Sequence, residues 1–388
     1  MFEYIWILLP IGLLIGWFAA KKDIAKKQWI LHYLNLRYLF EDQTQKDYEN
    51  LALEMPLDSD VEALKFSLLL GGAFRKRGEI DKAINLHETL IRQAQTPDLR
   101  ASAYLSLAKD YLSAGILNHA EETLRLVVDG EFEAMHKNKA LIKLGHLYKQ
   151  QRDWLQSLSM LEKISDKDPL ILEEMAHLYC ELAEEDLAKD LKGERERIFV
   201  WLTKALECDE NCARVSLITA FIYLKEKNYA AALEALLHIE KQKHALVPIT
   251  APMICDLAFR LERPHFFIHW LDRLLAESDR HFILVLWKAH YLVRSESIHE
   301  AIDYLKSVLS AENNLRGLLL LNELLSYAET SNESLIIYKK TLNSVIDRYS
   351  NFQCENCGFT SKTLHWNCPS CNHWNTSAPV SDIIALKH

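Results

Sequence analysis

The sequence predicts an all-α chain that is built as an array of helix pairs, with an apolar helix first and a small metal-binding module last. Three observations predict this class. A run of nineteen residues, 2–20, contains a single charged residue. Small and aromatic residues then recur with a period of roughly 33 to 37 residues up to about residue 350. Two C-x-x-C pairs follow near the end of the chain.

Composition supports helices and limits the classes of function. Eleven Gly and nine Pro among 388 residues are few, which favours helices over sheets and turns. The net charge of −9, with no basic domain, argues against nucleic-acid binding. Four of the eight Cys lie in the C-x-x-C pairs and the others are scattered, a usage that is typical of a reducing compartment.

Five segments are predicted along the chain. They are residues 1–20 as a transmembrane anchor, 21–59 as a basic juxtamembrane segment or linker, 60–350 as the array of about eight repeats, 351–376 as the four-Cys module, and 377–388 as a tail.

The apolar run at 2–20 has the length of a membrane helix. As a helix it would be about 28 Å long, close to the thickness of the hydrocarbon core. Trp6 and Trp17 lie toward its two ends, where aromatic rings favour the interface. The lysines between 21 and 27 place the following chain on the cytoplasmic side. A cleaved signal peptide would carry its positive charge before the apolar run, so we predict a retained anchor.

Gly12 and Gly16 form a G-x-x-x-G motif inside this predicted anchor. In a membrane this spacing lets two helix backbones approach closely, and a homo-oligomer is one form that such a contact can take. Small residues are also common in membrane helices without any contact, so both interpretations stay open.

The repeating pattern resembles that of tetratricopeptide repeats. In the first three units an aromatic residue follows a small residue by three positions: Gly71 and Phe74, Ala108 and Tyr111, Gly145 and Tyr148. The fourth unit, at Ala176 and Tyr179, is followed by about ten extra residues around 189–197, which predict a lengthened helix or an exposed loop. The resemblance covers about three-quarters of the chain. It does not identify a ligand, because such arrays bind many unrelated partners.

The resemblance implies that the first helix of each pair lines a concave surface. The early repeats would then present five basic residues there: Arg75, Lys76, Lys109, His146 and Lys149. In a chain of negative net charge this cluster suggests an acidic peptide or tail as the partner. A solvated helix face would carry the same residues, and the pattern does not separate the two interpretations.

The two C-x-x-C pairs predict a metal site. The candidate ligands are Cys354, Cys357, Cys368 and Cys371, and the ten residues between the pairs allow a closed tetrahedron. Gly358 and Asn372 follow the two pairs, where a tight turn needs positive φ and aims backbone N–H groups at the sulfurs. One Zn is the favoured metal and Fe is the alternative, since both use these ligands. A closed site leaves no open position for catalysis.

Other spacings are weaker candidates for chemistry. A spacing that can bind metal also occurs at Cys208 and Cys212 and at His265 and His269, but neither pair has further ligands to complete a site. His365 lies in the loop between the Cys pairs and could replace one thiol, but four Cys are already available. The sequence has no Gly-rich phosphate loop, no nucleophile elbow and no acid–base pair at a meaningful spacing. We therefore predict that the protein is not an enzyme.

The Cys turns resemble those of rubredoxin, although the loop between them is shorter and Asn372 replaces the usual second Gly. An iron protein that transfers electrons is therefore a less favoured alternative. The order of anchor, repeat array and rubredoxin-like ribbon resembles the lipopolysaccharide assembly protein B family of Gram-negative bacteria. The four Cys carry over as metal ligands, and no partner-binding residue carries over.

That resemblance implies a single-pass inner-membrane adaptor with most of its chain facing the cytoplasm. Such an adaptor would help the membrane-bound protease FtsH degrade LpxC, the deacetylase that commits material to lipid A. It would also contact other proteins of lipopolysaccharide synthesis and export. A general membrane-tethered assembly scaffold or chaperone, without a protease link, is the alternative.

Overall fold

The computed structural model describes residues 61–380, apart from 190–194, 277–280, 296, 313, 329–332 and 348. The predicted anchor with Gly12 and Gly16, the basic segment after it and the end of the tail lie outside these residues. Within the described ranges, no helix combines the length and the apolar character that crossing a membrane requires.

Sixteen α-helices occupy the described part of the chain up to residue 346, and they follow one another as eight pairs. They are α1 (Val61–Lys76), α2 (Ile80–Gln93), α3 (Pro97–Ser113), α4 (Leu117–Asp129), α5 (Ala134–Gln150), α6 (Trp154–Glu162), α7 (Pro169–Lys189), α8 (Arg195–Cys208), α9 (Ala213–Lys225), α10 (Tyr229–Gln242), α11 (Val247–Arg260), α12 (Pro264–Leu275), α13 (Phe282–Ser295), α14 (Ile298–Ala311), α15 (Leu315–Ala328) and α16 (Glu333–Ile346). A 3-10 turn, His244–Leu246, precedes α11. The mostly helical repeat fold is thereby confirmed for the described residues. Helix α7 has 21 residues, and most of the insertion predicted around 189–197 lies outside the described residues.

Local sequence sets where many of these helices begin and how the two helices of a pair are joined. The side chains of Thr96, Asp153 and Ser297 each accept a hydrogen bond from the backbone N–H three residues later. Such caps satisfy donors that the first turn of a helix leaves without partners. The turn inside a pair repeatedly needs a left-handed residue: Gly78, Gly115, Arg152, Lys227 and Glu262 have φ between 56° and 83°.

The described residues divide into two compact units, a first that ends at Leu147 and a second that begins at Tyr148. In the first unit, a close approach between α1 and α2 depends on Gly71. A Cβ on Gly71 would lie 2.4 Å from His87 Nε2. His87 is fully buried and its Nδ1 contacts the carboxylate of buried Asp110 on α3, which also accepts a hydrogen bond from Arg75 at 2.5 Å. Three consecutive helices are therefore joined by one buried polar network.

Replacing Gly71 by Ala is expected to lower the free energy of unfolding by about 1–3 kcal/mol, because the new methyl group overlaps the His87 ring. Gly72→Ala is a matched control on the same helix. Its Cβ would meet only Arg75 at 3.6 Å, so we expect a gain of about 0.5–1 kcal/mol from the lost flexibility of the unfolded chain. Urea denaturation of both variants measures the difference, and equal stabilities would contradict the overlap.

The second unit has an apolar core that the helices α9–α13 share. Phe267 is fully buried within it, and Cys255 and Trp270 pack nearby. A further cluster joins α13, α14 and α15 around Phe282 and Leu305. The thiols of Cys180, Cys212 and Cys255 are buried and free, as the sequence predicts for Cys outside the metal motif. 

A three-stranded antiparallel sheet follows the last helix and completes the second unit. Its order is β2-β1-β3, with β1 at Phe352–Cys354, β2 at Thr360–Ser361 and β3 at Ser377–Pro379. Strand β3 extends this module beyond residue 376, because Cys354 pairs with Ser377 in the ladder. We call residues 351–380 the ribbon.

Candidate metal centre

The ribbon brings all four predicted cysteines together. Their Sγ atoms lie within 4.8 Å of one another, and the distances are 3.8 Å from Cys354 to Cys371 and 3.7 Å from Cys357 to Cys368. A Zn–S distance of about 2.3 Å in a regular tetrahedron gives sulfur–sulfur edges of about 3.8 Å. The donor set therefore fits a four-coordinate metal such as Zn or Fe, held by these cysteines alone.

Two tight turns present the sulfurs, as the sequence predicts. Gly358 and Asn372 have φ of 75° and 58°, and their backbone N–H groups donate to the carbonyls of Cys354 and Cys368 at 2.9 and 2.8 Å. Each turn folds the chain back so that two sulfurs of one pair face the same point. The predicted positive φ at both positions is confirmed.

Donors around the sulfurs shift the pKa of the thiols in opposite directions. The side-chain amide of Asn356, followed by the backbone N–H of His373, lowers the pKa of Cys371 to about 5. Burial raises the pKa of Cys368 to about 11, against the backbone N–H groups of its own turn. Metal binding needs thiolates, so the surroundings favour the ligand form at Cys371, whereas the metal itself must ionise Cys368.

The ribbon docks on repeats of its own unit through His177 of α7. The His177 ring is 1% exposed and stacks on Trp374, with centroids 4.9 Å apart and an angle of 6° between the planes. Its other neighbour in the ribbon is Trp366, at 5.8 Å, which also packs against the shared core of α9–α13. Within the described part of the chain neither His177 nitrogen has a hydrogen-bond partner, so this contact depends on ring stacking.

Polar contacts fix the orientation of the docked ribbon. Lys243, just before the 3-10 turn, donates to the backbone carbonyl of Asn375 and, at 2.8 Å, to its side-chain oxygen. The amide of Asn375 donates to Glu173 of α7 at 3.1 Å. Lys149 lies 5.4 Å from the centroid of the Trp374 ring. One ribbon edge therefore contacts three helical segments of the second unit.

Sequence reasoning did not identify these docking residues. A signal was nevertheless present, because His177 directly follows the small residue Ala176, as Lys109 follows Ala108 and His146 follows Gly145. Extending the same mapping to the fourth repeat would have placed His177 on the surface formed by the first helices. Its partner Trp374 could not have been found in this way, because the contact joins residues far apart in sequence.

The predicted groove residues occupy different surroundings. Arg75 is bound to Asp110, whereas Lys76 and Lys109 are exposed on α1 and α3. His146 is exposed near the end of the first unit. Lys149 belongs to the second unit and forms an ion pair with Glu174. The positive charge of Arg75 lowers the pKa of Lys109, so these two side chains repel each other. The role of all five in binding a partner stays a prediction.

The weaker candidate ligands are not assembled into a site. Among the described residues, the four ribbon cysteines form the one group of three or more His, Cys, Asp or Glu side chains placed to hold a metal. Cys212 lies 4.0 Å from Cys180 of α7. His365 faces Thr363, with 3.3 Å between the ring and the hydroxyl.

Acid is expected to weaken the second unit through His177. Burial, followed by the charges of Arg214 and Lys243, lowers the His177 pKa to about 3, while Glu174 opposes this shift. Since the unfolded chain has a His pKa near 6.5, the unfolded state binds the extra proton between about pH 6.5 and 3. Above pH 6.5 the His177 ring is neutral in both states and does not lower the free energy of unfolding. Between about pH 6.5 and 3 the free energy of unfolding falls by up to about 1.4 kcal/mol for each pH unit.

The change in unfolding free energy between pH 7 and 5.5 measures this effect in wild type and in His177→Phe. Phe keeps a flat ring but cannot be protonated, and both proteins retain the same thiol ligands. We expect a clearly steeper loss in wild type. Parallel pH profiles would show that His177 does not titrate in this way.

Two family models match the chain. The model described as rubredoxin metal binding domain matches residues 352–379, and the tetratricopeptide repeat model matches residues 67–101. A tetratricopeptide repeat protein from Parabacteroides merdae of known structure covers 68% of this chain and 98% of its own, with 15% identity and a TM-score of 0.34.

Curated relatives match from end to end. Lipopolysaccharide assembly protein B of Escherichia coli (strain K12) is 29% identical, with 100% of both chains covered. The protein of the same name from Haemophilus influenzae is 27% identical, with 98% of this chain and 99% of the relative covered. The resemblance that the order of the parts predicts is thereby confirmed along the chain.

Proposed function

Since the chain resembles the lipopolysaccharide assembly protein B family over its whole length, we propose that it acts in lipopolysaccharide assembly as a non-enzymatic adaptor. In this proposal the segment 1–20 anchors it in the inner membrane and the repeats and ribbon face the cytoplasm. It promotes the degradation of LpxC by FtsH, and other proteins of lipopolysaccharide synthesis and export are further partners. The observation that carries the proposal is the full-length similarity to proteins of that name, ribbon included.

The structure supports an adaptor in two ways. Repeated helix pairs present long surfaces that suit protein partners. The four thiols surround their site on all sides, so a metal bound there has no open position for substrate. The metal then contributes to folding of the ribbon.

The lifetime of LpxC tests this function. Depleting the protein in its own cells is expected to lengthen the half-life of LpxC after protein synthesis is stopped, and re-expression of the wild-type chain should shorten it again. A variant without residues 1–20 tests the anchor and is expected to fail in rescue while remaining folded. An unchanged LpxC half-life, together with defects in lipopolysaccharide export, would favour the general scaffold instead.

We propose one Zn as the metal of the ribbon. The short loop between the Cys pairs, and Asn372 in place of a second Gly, depart from the electron-transfer rubredoxins that the turns resemble. Elemental analysis of protein from cells grown with both metals should give one Zn per chain and a colourless protein. A stoichiometric Fe content with visible absorption would support the electron-transfer alternative.

A further inference from the structure

A cluster of positive charge lies on the first helices of the first three pairs, within the first unit. Arg75 is on α1, Lys109 on α3, and Lys139 and Lys143 on α5. Lys109 and Lys139 are exposed and Lys143 is half-buried. We call these four residues the first-helix cluster.

Contacts between the first helices hold them together. Arg75 donates to Asp110 at 2.5 Å and to the carbonyl of Ser106 at 3.4 Å, which holds its guanidinium beside α3. His136 at the start of α5 is 2.5 Å from Asp98 at the start of α3. Lys139 and Lys143 are one helical turn apart, so they share one face of α5.

The positive charge of the cluster is poorly compensated. Across the residues that the structure describes, no carboxylate forms an ion pair with any of the three lysines (Lys109, Lys139 and Lys143). Asp110, whose charge opposes the pKa shift of Lys109, is already shared between His87 and Arg75. Lysines without counter-ions of their own repel one another and Arg75, and a bound anion would relieve that repulsion.

The lysine pKa values agree with this geometry. Burial, followed by the charges of Arg75 and Lys139, lowers the pKa of Lys109, and only Asp110 opposes the shift. Burial, then Lys109 and Arg75, lowers the pKa of Lys143 to about 8. Lys143 therefore feels the charges of both preceding first helices.

We propose that the first-helix cluster binds an acidic segment of a partner protein. Neighbouring helices pack about 8–10 Å apart, so charges on α1, α3 and α5 suit an extended chain that carries carboxylates every few residues. Lys143 is recessed, and a flexible Asp or Glu side chain reaches a recessed ammonium better than the flat headgroup layer of a membrane does. The inference does not depend on a role in lipopolysaccharide assembly.

The cluster also differs from the groove that the sequence predicts. Arg75 and Lys109 are retained, while Lys139 and Lys143 are added because their charges act on those two residues. Lys149 is left out because it belongs to the second unit.

Binding of a fluorescein-labelled decaglutamate peptide, followed by fluorescence anisotropy at low salt, tests the proposal on the full chain in detergent. We expect Lys139→Glu to weaken binding about tenfold or more, because it replaces an attractive charge by a repulsive one. Lys137→Glu is the matched control on α5. Lys137 is two residues from Lys139 and lies on the other side of the helix. Lys137→Glu changes the net charge by the same amount, so the affinity of this variant for the peptide should stay within about twofold of wild type.

Three outcomes would overturn the proposal: no peptide binding, equal weakening in Lys137→Glu, or binding to phosphatidylglycerol vesicles without peptide binding. A second readout avoids the question of folding in variants. Acetylation of wild-type Lys143 by a limiting amine-reactive ester at pH 7.5 is followed by mass spectrometry. Bound peptide should slow this reaction several-fold, since it covers the amine and raises its pKa, and an unchanged rate at saturating peptide would contradict the contact.

Discussion

Changing Cys368 to Ser is expected to abolish metal binding and to unfold the ribbon, while the sixteen described helices stay folded. The ribbon has two- and three-residue strands and few apolar side chains of its own, so metal binding supplies its folding energy. Structural Zn contributes about 10–16 kcal/mol in comparable small modules, far more than three such strands can supply. Elemental analysis and far-UV circular dichroism measure the two effects, and we expect less than a tenth of the metal with nearly unchanged helical signal.

Cys208→Ser is the control for this experiment. Cys208 is a half-buried thiol at the end of α8, outside the metal site, so its loss should leave one metal per chain. If Cys368→Ser still bound a full equivalent of metal, the four-thiolate site would be wrong. A loss of helical signal would instead mean that the repeats of the second unit depend on the ribbon for folding.

Replacing His177 by Ala is expected to release the ribbon from the repeats without unfolding it. The change removes a buried ring that stacks on Trp374 and leaves a cavity between α7 and the ribbon, at a cost of about 3 kcal/mol. All four metal ligands are untouched, so the metal content should remain at wild type. Hydrogen exchange at residues 364–376 should rise, and cleavage by protease near residue 350 should become faster.

His269→Ala is the matched control, because His269 is exposed on α12. It should change neither exchange nor cleavage. Should His177→Ala lose its metal, docking and metal binding would be one process, contrary to our expectation. Unchanged exchange in that variant would show that the polar contacts of Asn375 hold the ribbon without the stacked rings.

Features that depend on local sequence could be predicted. The helix pairs follow from their small and aromatic residues, such as Gly71 and Phe74, because those residues decide how closely adjacent helices approach. The metal site follows from two C-x-x-C turns that lie within eighteen residues of one another. In both cases the interacting groups are near neighbours along the chain.

Features that depend on distant partners could not be predicted. Asn375 contacts Glu173, which is 202 residues earlier, and no local pattern links the two. The same limit applies to the basic residues, because the sequence shows that Arg75 and Lys149 are cationic but not that Asp110 and Glu174 already bind them. A side chain counted as available for a partner can therefore be committed within its own unit.

The docked ribbon changes how the second unit should respond to stress. In a repeat array each pair normally contacts only its neighbours, so such arrays can fray from one end, repeat by repeat. Here Asn375 is tied to α7, while Asn351 is bound by Arg316 of α15, at 2.7 Å. The ribbon therefore connects α7 to α15, and fraying of either helix would also break a contact with the ribbon. We infer that the metal suppresses fraying and gives the last five repeats a single cooperative transition.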